Sequence, residues 1–157
     1  MKNILFKKIV IALFPLSLLF STTTFAQSVG VVKTMLGKVQ LLRAGAEPIN
    51  LALGDQVFIA DKLQTQNNSS VGILFSDDTR IGAGPDTSFS IDDYEFDSKT
   101  QLGRADLFVN NGTLAVVGGK LTAKDSQSVK VHTPTSTLTA TCSTLSVKVD
   151  PLTKEVP

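Results

Sequence analysis

The chain has 157 residues, with 15 Lys and Arg against 14 Asp and Glu, one His and one Cys. Cations spread singly along a near-neutral chain exclude the basic patch that a nucleic-acid partner requires, and one Cys excludes an intramolecular disulfide. A single His (His132) with no second soft ligand leaves a metal site unsupported, no cofactor is expected, and the fold must stand on its apolar core.

Residues 1–26 read as a secretory signal. Lys2, Lys7 and Lys8 form a positive leading region, an apolar run follows over residues 9–20, and Thr24, Phe25 and Ala26 supply a cleavage site before Gln27. The run is shorter than the roughly 20 apolar residues that span a bilayer, so cleavage is expected and no stable membrane anchor should remain. No Cys stands directly after the apolar run, so a lipid anchor is not expected either. Those three Lys are three of the 15 cations, and none of the 14 carboxylates lies there, so removal leaves 12 against 14, about −2. The product, residues 27–157, suits one domain of ordinary size in a periplasmic or secreted location.

From Val29 onward the pattern is one of short strands. Val29, Val31 and Val32 open the first, and Gly37 precedes a second over Val39, Gln40, Leu41 and Leu42. Residues 43–48 are turn material, since Gly frees φ and Pro restricts it. Leu51 and Leu53 lead through Gly54 and Asp55 to Val57, Phe58 and Ile59. Leu63, Gln64 and Thr65 then precede a polar turn over residues 66–69. Val71, Ile73 and Phe75 alternate with Ser70, Gly72 and Leu74 to mark a half-buried strand. Ser76, Asp77, Asp78 and Thr79 turn the chain into Arg80 and Ile81, and Gly82, Gly84 and Pro85 read as a corner. Thr87, Phe89 and Ile91 resume a period of two.

Ala105, Leu107 and Val109 should face one way, with Asp106 and Phe108 opposite. Asn110, Asn111 and Gly112 carry the strongest hairpin signal in the chain, because Asn-Gly tolerates positive φ at both central turn positions. Residues 113–117 are therefore expected to return as a second strand, ended by Gly118 and Gly119. That Gly pair lacks the lysine, spacing and helix start of a phosphate loop. Val129 and Val131 start a further strand, Thr133 and Pro134 bend it, and Leu145, Val147 and Val149 close the pattern. No spacing of three and four is sustained outside the signal, so the expectation is an all-β domain of short antiparallel strands and hairpins, a β-sandwich or a solenoid-like roll.

Three features invite chemistry. The patch Asp92, Asp93, Glu95 and Asp97 offers oxygen ligands of the kind Ca²⁺ takes, but lacks the glycine and terminal Glu of a helical calcium loop. It reads rather as a solvated edge that discourages strand-to-strand association. Asp77, Asp78 and Asp86 supply the carboxylates a glycosidase would pair, although acidic turn residues more often cap backbone amides. Cys142, just before an apolar strand, is read as a small buried hydrophobe, the alternative being a cross-link between chains.

The order of these features resembles the FecR-type periplasmic domain over nearly the whole exported chain. The resemblance rests on strand, glycine and strand from Val32 through Gly37 to Leu41, on Gly54 and Asp55, and on Leu63, Gln64 and Thr65. It continues through the strand and acidic turn with Asp77 and Asp78, the corner at Pro85 with Ser88, the segment from Leu107 to Leu114, and Thr133 with Pro134. Where that family has Arg-Gly-Thr, this chain has Thr141, Cys142 and Ser143, which keeps a hydroxyl and loses the charge and the glycine. The candidate motif positions are therefore Gly54, Asp55, Thr65, Asp77, Asp78, Pro85, Thr133, Pro134 and Ser143.

The resemblance implies an exported, non-enzymatic domain of the binding or sensor type, with a cell-envelope protein or glycan as partner. The sensor proteins of the family carry a cytoplasmic anti-sigma region and a transmembrane helix before this domain. The chain resembles instead the stand-alone exported members. Alternatives are a structural subunit of an envelope assembly and a carboxylate-dependent glycan hydrolase.

Overall fold

Residues that alternate apolar and polar can bury one side of a strand and leave the other in water, and of the twelve strands among the described residues the longer ones largely follow that rule. The computed structural model describes residues 27–141 and 144–150; the expected signal, Cys142 and Ser143 lie outside them. The strands in order are β1 (Gly30–Leu36), β2 (Val39–Leu42), β3 (Ile49–Asn50), β4 (Gln56–Val57), β5 (Lys62–Thr65), β6 (Ser70–Phe75) and β7 (Arg80–Ala83). After them come β8 (Ser88–Phe96), β9 (Gly103–Val117), a five-residue helix α1 (Lys120–Lys124), β10 (Val129–His132), β11 (Thr137–Thr139) and β12 (Thr144–Val149). None of the described helices is long and apolar enough to cross a membrane.

The all-β expectation holds. The strands form one curled sheet in the order β3-β2-β5-β8-β9-β7-β6-β1-β4, antiparallel except where β10 runs parallel to β9. Its inner side encloses a single apolar core to which nearly every strand contributes. Val71, Ile73 and Phe75 of β6, Ala105, Leu107 and Val109 of β9, and Val147 of β12 are all buried there. Truncating one such side chain, for example Phe75→Ala, typically costs about 3–5 kcal/mol.

The long strand β9 joins the two halves of the sheet. Its first part pairs with β8 and β10, its last part with β7 and β12. The hairpin expected at Asn110, Asn111 and Gly112 is therefore absent, and residues 113–117 continue the strand instead of returning. A two-residue reversing turn of this kind needs positive φ at both central positions. Gly112 has φ 94, while Asn111 keeps an ordinary negative-side conformation. The result is a bend with a shift of register, Ser88 facing Asn111 and Phe89 facing Val109.

The bend is held by the neighbouring corner. Thr113 N donates to Thr87 Oγ1 at 2.9 Å, Gly84 N to Thr113 O at 2.9 Å, and Asn111 Nδ2 to Asp86 O at 2.6 Å. A Cβ on Gly112 would collide with the Thr87 backbone, so close approach demands glycine as much as φ does.

Three smaller expectations also change. Gly82 is not part of the corner but lies inside β7, paired with Gly72 and Ala115. Phe58 and Ile59 leave the ladder, because β4 ends at Val57. Gly119 is followed by α1, which carries a single buried anchor, Leu121, too little for a helical period to show in the sequence.

Candidate functional site

The acidic turn between β6 and β7 is the most densely bonded polar point among the described residues. Phe75 N donates to Thr79 O at 2.8 Å and Asp78 N to Phe75 O at 3.1 Å, closing the turn with Asp78 at φ 69, a conformation that Asp tolerates better than most residues. That geometry drives Asp77 inward, where it is 0% exposed. Its carboxylate accepts from Thr79 Oγ1 at 2.6 Å, Thr79 N at 3.3 Å, Tyr94 OH at 3.1 Å and Leu121 N at 3.4 Å. The Asp77 carbonyl accepts from Lys120 N at 2.7 Å, and Asp77 N donates to Tyr94 OH at 3.1 Å. One side chain thus ties the turn to the start of α1 and to β8.

The surroundings are built to that purpose. Gly119 N donates to Thr79 Oγ1 at 3.1 Å, and a Cβ at Gly119 would collide with the backbone of the turn. Tyr94 stands edge-on to Phe75 with ring centroids 5.1 Å apart. Burial, and then the Asp77 charge, push the Tyr94 phenol well above its ordinary pKa. Asp78 points outward to Lys120 Nζ at 2.8 Å. Beside Tyr94 opens a cleft of about 470 Å³ lined by Val29, Phe58, Ile59, Ser76 and Phe96 among others.

The geometry counts against the carboxylate pair that a glycosidase needs. Such a pair flanks a substrate-sized gap with both groups reachable. Asp77 is sealed and its oxygens are occupied. Asp86 lies at the Gly-Pro corner, beyond the four residues of β7, about 13 Å of strand. Its backbone, at φ 49, accepts the Asn111 amide.

The remaining motif positions are structural fastenings at separate places. Gly54, at φ 89, donates to Val32 O at 3.0 Å, and Asp55 accepts from Ala52 N at 2.7 Å while its carbonyl accepts from Val32 N at 2.9 Å. Thr65 and Pro85 do come together: Thr65 Oγ1 donates to Gly84 O at 2.6 Å and accepts from Thr87 N at 2.9 Å, and the Pro85 carbonyl accepts from Thr87 Oγ1 at 3.1 Å. Thr133 closes the β10–β11 turn around Pro134 through Ser136 N at 3.0 Å. Ser143 lies outside the described residues.

Other polar residues resolve similarly. In the acidic patch, Asp93 and Glu95 pair with Arg104, and Asp92 accepts from Ser90 Oγ at 2.6 Å. The hydrogen bond from Lys99 N holds the exposed Asp97 carboxyl below its usual range. Among the described residues no three His, Cys, Asp or Glu gather as a cation site, and His132 contacts Thr137 Oγ1 at 3.0 Å and Asp106 at 3.4 Å.

One buried site was not anticipated from the residues. Asp61 is 0% exposed and receives both Arg43 Nε and Nη2 at 2.7 Å, together with Phe58 N at 2.9 Å. The guanidinium also lies 4.6 Å from the centre of the Phe58 ring. Arg43 sits in a turn and Asp61 before a strand, so nothing local links them.

A family model described as FecR protein matches residues 61–156. The match includes β5 to β12 and the Asp77 turn, and begins after Gly54 and Asp55. No curated protein and no solved structure matches the chain.

Proposed function

This chain belongs to the FecR protein family, a family of sensor and signal-transduction domains, and we propose that it is an exported, non-enzymatic binding domain of the cell envelope. Its partner in this reading is an envelope protein or glycan, met in the periplasm or outside the cell after removal of residues 1–26. The observation that carries the proposal is the edge of β12. This six-residue strand pairs with β9 along one side, and no strand among the described residues pairs with the other. Such an edge offers main-chain donors and acceptors to an incoming strand, with pockets for alternate side chains giving selectivity. The enclosure of Asp77 supports binding over hydrolysis, since a carboxylate with four donors around it is a fastening and not a reachable acid or base.

A photo-crosslinking side chain placed at the exposed Ser146 of β12 tests the reading in a periplasmic extract. The expected outcome is one specific envelope partner, captured at Ser146 and not from a control position in the turn at Gln66, and rebound by the purified chain. Capture of nothing specific, together with no binding to envelope glycans, would refute the proposal.

A further inference from the structure

The outer surface of the sheet has two unlike faces. On the half built from β1, β6, β7 and the end of β9, Thr34, Gly72, Gly82 and Ala115 lie in register, a row with few polar groups to offer. On the other half, β3, β2, β5 and β8 bring four polar side chains to one line that ends at β9. Asn50 faces Gln40, Gln40 faces Gln64, Gln64 faces Ser88, and Ser88 meets β9 at the Asn110–Asn111 irregularity.

Residues paired across strands point to the same side of a sheet. Here it is the outer side, because the intervening Val39, Leu41, Leu63, Phe89 and Val109 are in the core. Adjacent strands lie about 4.8 Å apart, so the line runs some 19 Å across five strands.

What distinguishes this line is a buried hydroxyl without a partner, set in a row of outward amides. The Ser88 hydroxyl is buried, its residue 6% exposed, and has no partner among the described residues. Buried hydroxyls are ordinarily satisfied, and one that is not requires an explanation. Ser88 lines a recess of about 100 Å³ with Lys62, Ser90, Phe108 and Asn110. Around it the half-buried Gln40 and Gln64 and the exposed Asn50 present amide donors and acceptors on the outer side. Phe108, half-buried on the same outer side and facing Ser90, supplies an apolar platform beside the line.

We propose that this face binds a glycan strand laid across β2, β5 and β8, with one exocyclic hydroxyl or hydroxymethyl group entering the Ser88 recess and a sugar ring resting on Phe108. The assignment rests on the reading of the chain as a binding domain and names the ligand class. Amides and hydroxyls each donate and accept, as sugar hydroxyls do, and the row itself carries no charge that would select an ionic partner. The recess is too small for a whole ligand and large enough for one such group or a water. Lys62, facing Ser90 in the adjoining line, is the cation among the described residues that line the recess and would favour an acidic sugar.

The test is a nuclear magnetic resonance titration of the chain with three hexasaccharides, of glucose, of N-acetylglucosamine and of galacturonic acid. At least one is expected to shift backbone amides of β2, β5 and β8. Gln64→Ala should weaken that binding about fivefold, the scale of one hydrogen bond, and Phe108→Ala tenfold or more. Ser88→Ala should weaken it severalfold while leaving the melting temperature unchanged or raised, since it removes an unpartnered oxygen.

The proposal is overturned if no hexasaccharide shifts these strands, if the shifts map to β12, or if the Gln64 and Ser88 variants bind as the parent does. A crystal structure in which an ordered water keeps the Ser88 recess in the saturated complex would also remove it. Crosslinking of an envelope protein at Ser146 with no glycan response would leave the binding-domain reading standing and this inference refuted.

Discussion

Asp61 and Asp77 are both fully buried, both sit beside turns, and are held by opposite means. Asp61 meets a guanidinium in a two-point contact from Arg43, whose side chain is 42% exposed. Asp77 meets no cation among the described residues; its oxygens are surrounded by two backbone amides and two hydroxyls. A buried carboxylate can be stabilised by a charge or by several neutral donors. The first solution depends on one side chain from a distant turn. The second spreads the contact over three elements and makes Asp77 a joint of the fold.

That contrast predicts an order of effects. Asp77→Ala should be the most damaging, because it strands the buried amides of Thr79 and Leu121 as well as removing four hydrogen bonds. At about 1–3 kcal/mol for each unsatisfied group, a loss of roughly 3–5 kcal/mol is expected in urea unfolding. A loss below that of Arg43→Ala would reverse the comparison.

Arg43→Ala leaves Asp61 buried with only the Phe58 amide. Breaking a fully enclosed pair costs about 3–5 kcal/mol, but water reaches the exposed side of Arg43, so about 2 kcal/mol is expected. Replacing both partners, Arg43→Met with Asp61→Asn, should cost less than Arg43→Ala alone. An additive double variant would show that the pair is not coupled.

Tyr94→Phe should remove about 1 kcal/mol by deleting one donor to Asp77 and one acceptor for its amide. Tyr94 is also the only tyrosine in the chain, so alkaline absorbance reports it alone. Its folded pKa is raised by burial and by Asp77, so the fold favours the neutral phenol. That stabilisation is complete below the unfolded value near 10 and is lost as pH rises through the folded value. Stability should therefore fall above about pH 10 in the parent and less steeply in Tyr94→Phe; a phenol titrating at its ordinary value in the folded protein would count against the enclosed site.

The smallest effect is expected for Arg43→Lys, about 0.5–1 kcal/mol, since an ammonium keeps the charge but loses the two-point geometry and the stacking on Phe58. Calorimetry that found no difference would reduce the Arg43 contact to charge alone.

Much of the scaffold was legible in the residues. Val71, Ile73 and Phe75, then Ala105, Leu107 and Val109, declare their buried side by period-two alternation, a property of the strand itself. The turns at residues 66–69 and 76–79, and the corner at Gly84 and Pro85, are marked by residues whose local conformational preferences suit them. The Asn111–Gly112 signal failed for the same reason that it is attractive. It reports what two residues tolerate, and tolerance of a reversal does not compel one when the corner at Thr87 offers bonds to a continuing strand.

The candidate site was legible only in part. Asp77 and Asp78 were singled out, but as turn residues, and nothing nearby in sequence marked one as buried and the other as exposed. The partners that enclose Asp77 lie 17 residues away at Tyr94 and 44 away at Leu121. Neither the Arg43–Asp61 pair nor the line of Asn50, Gln40, Gln64 and Ser88 can be found by local spacing. Each depends on which strands become neighbours.

Alternation, turn chemistry and composition by themselves determined an all-β chain with an apolar inner side, because those properties act over a few bonds. The tertiary structure alone decided that β9 bridges the two halves, that Asp77 is a joint and not an acid, and that an uncharged polar line crosses one face. Those outcomes arise from strand register and enclosure, which bring together residues that have no local claim on one another.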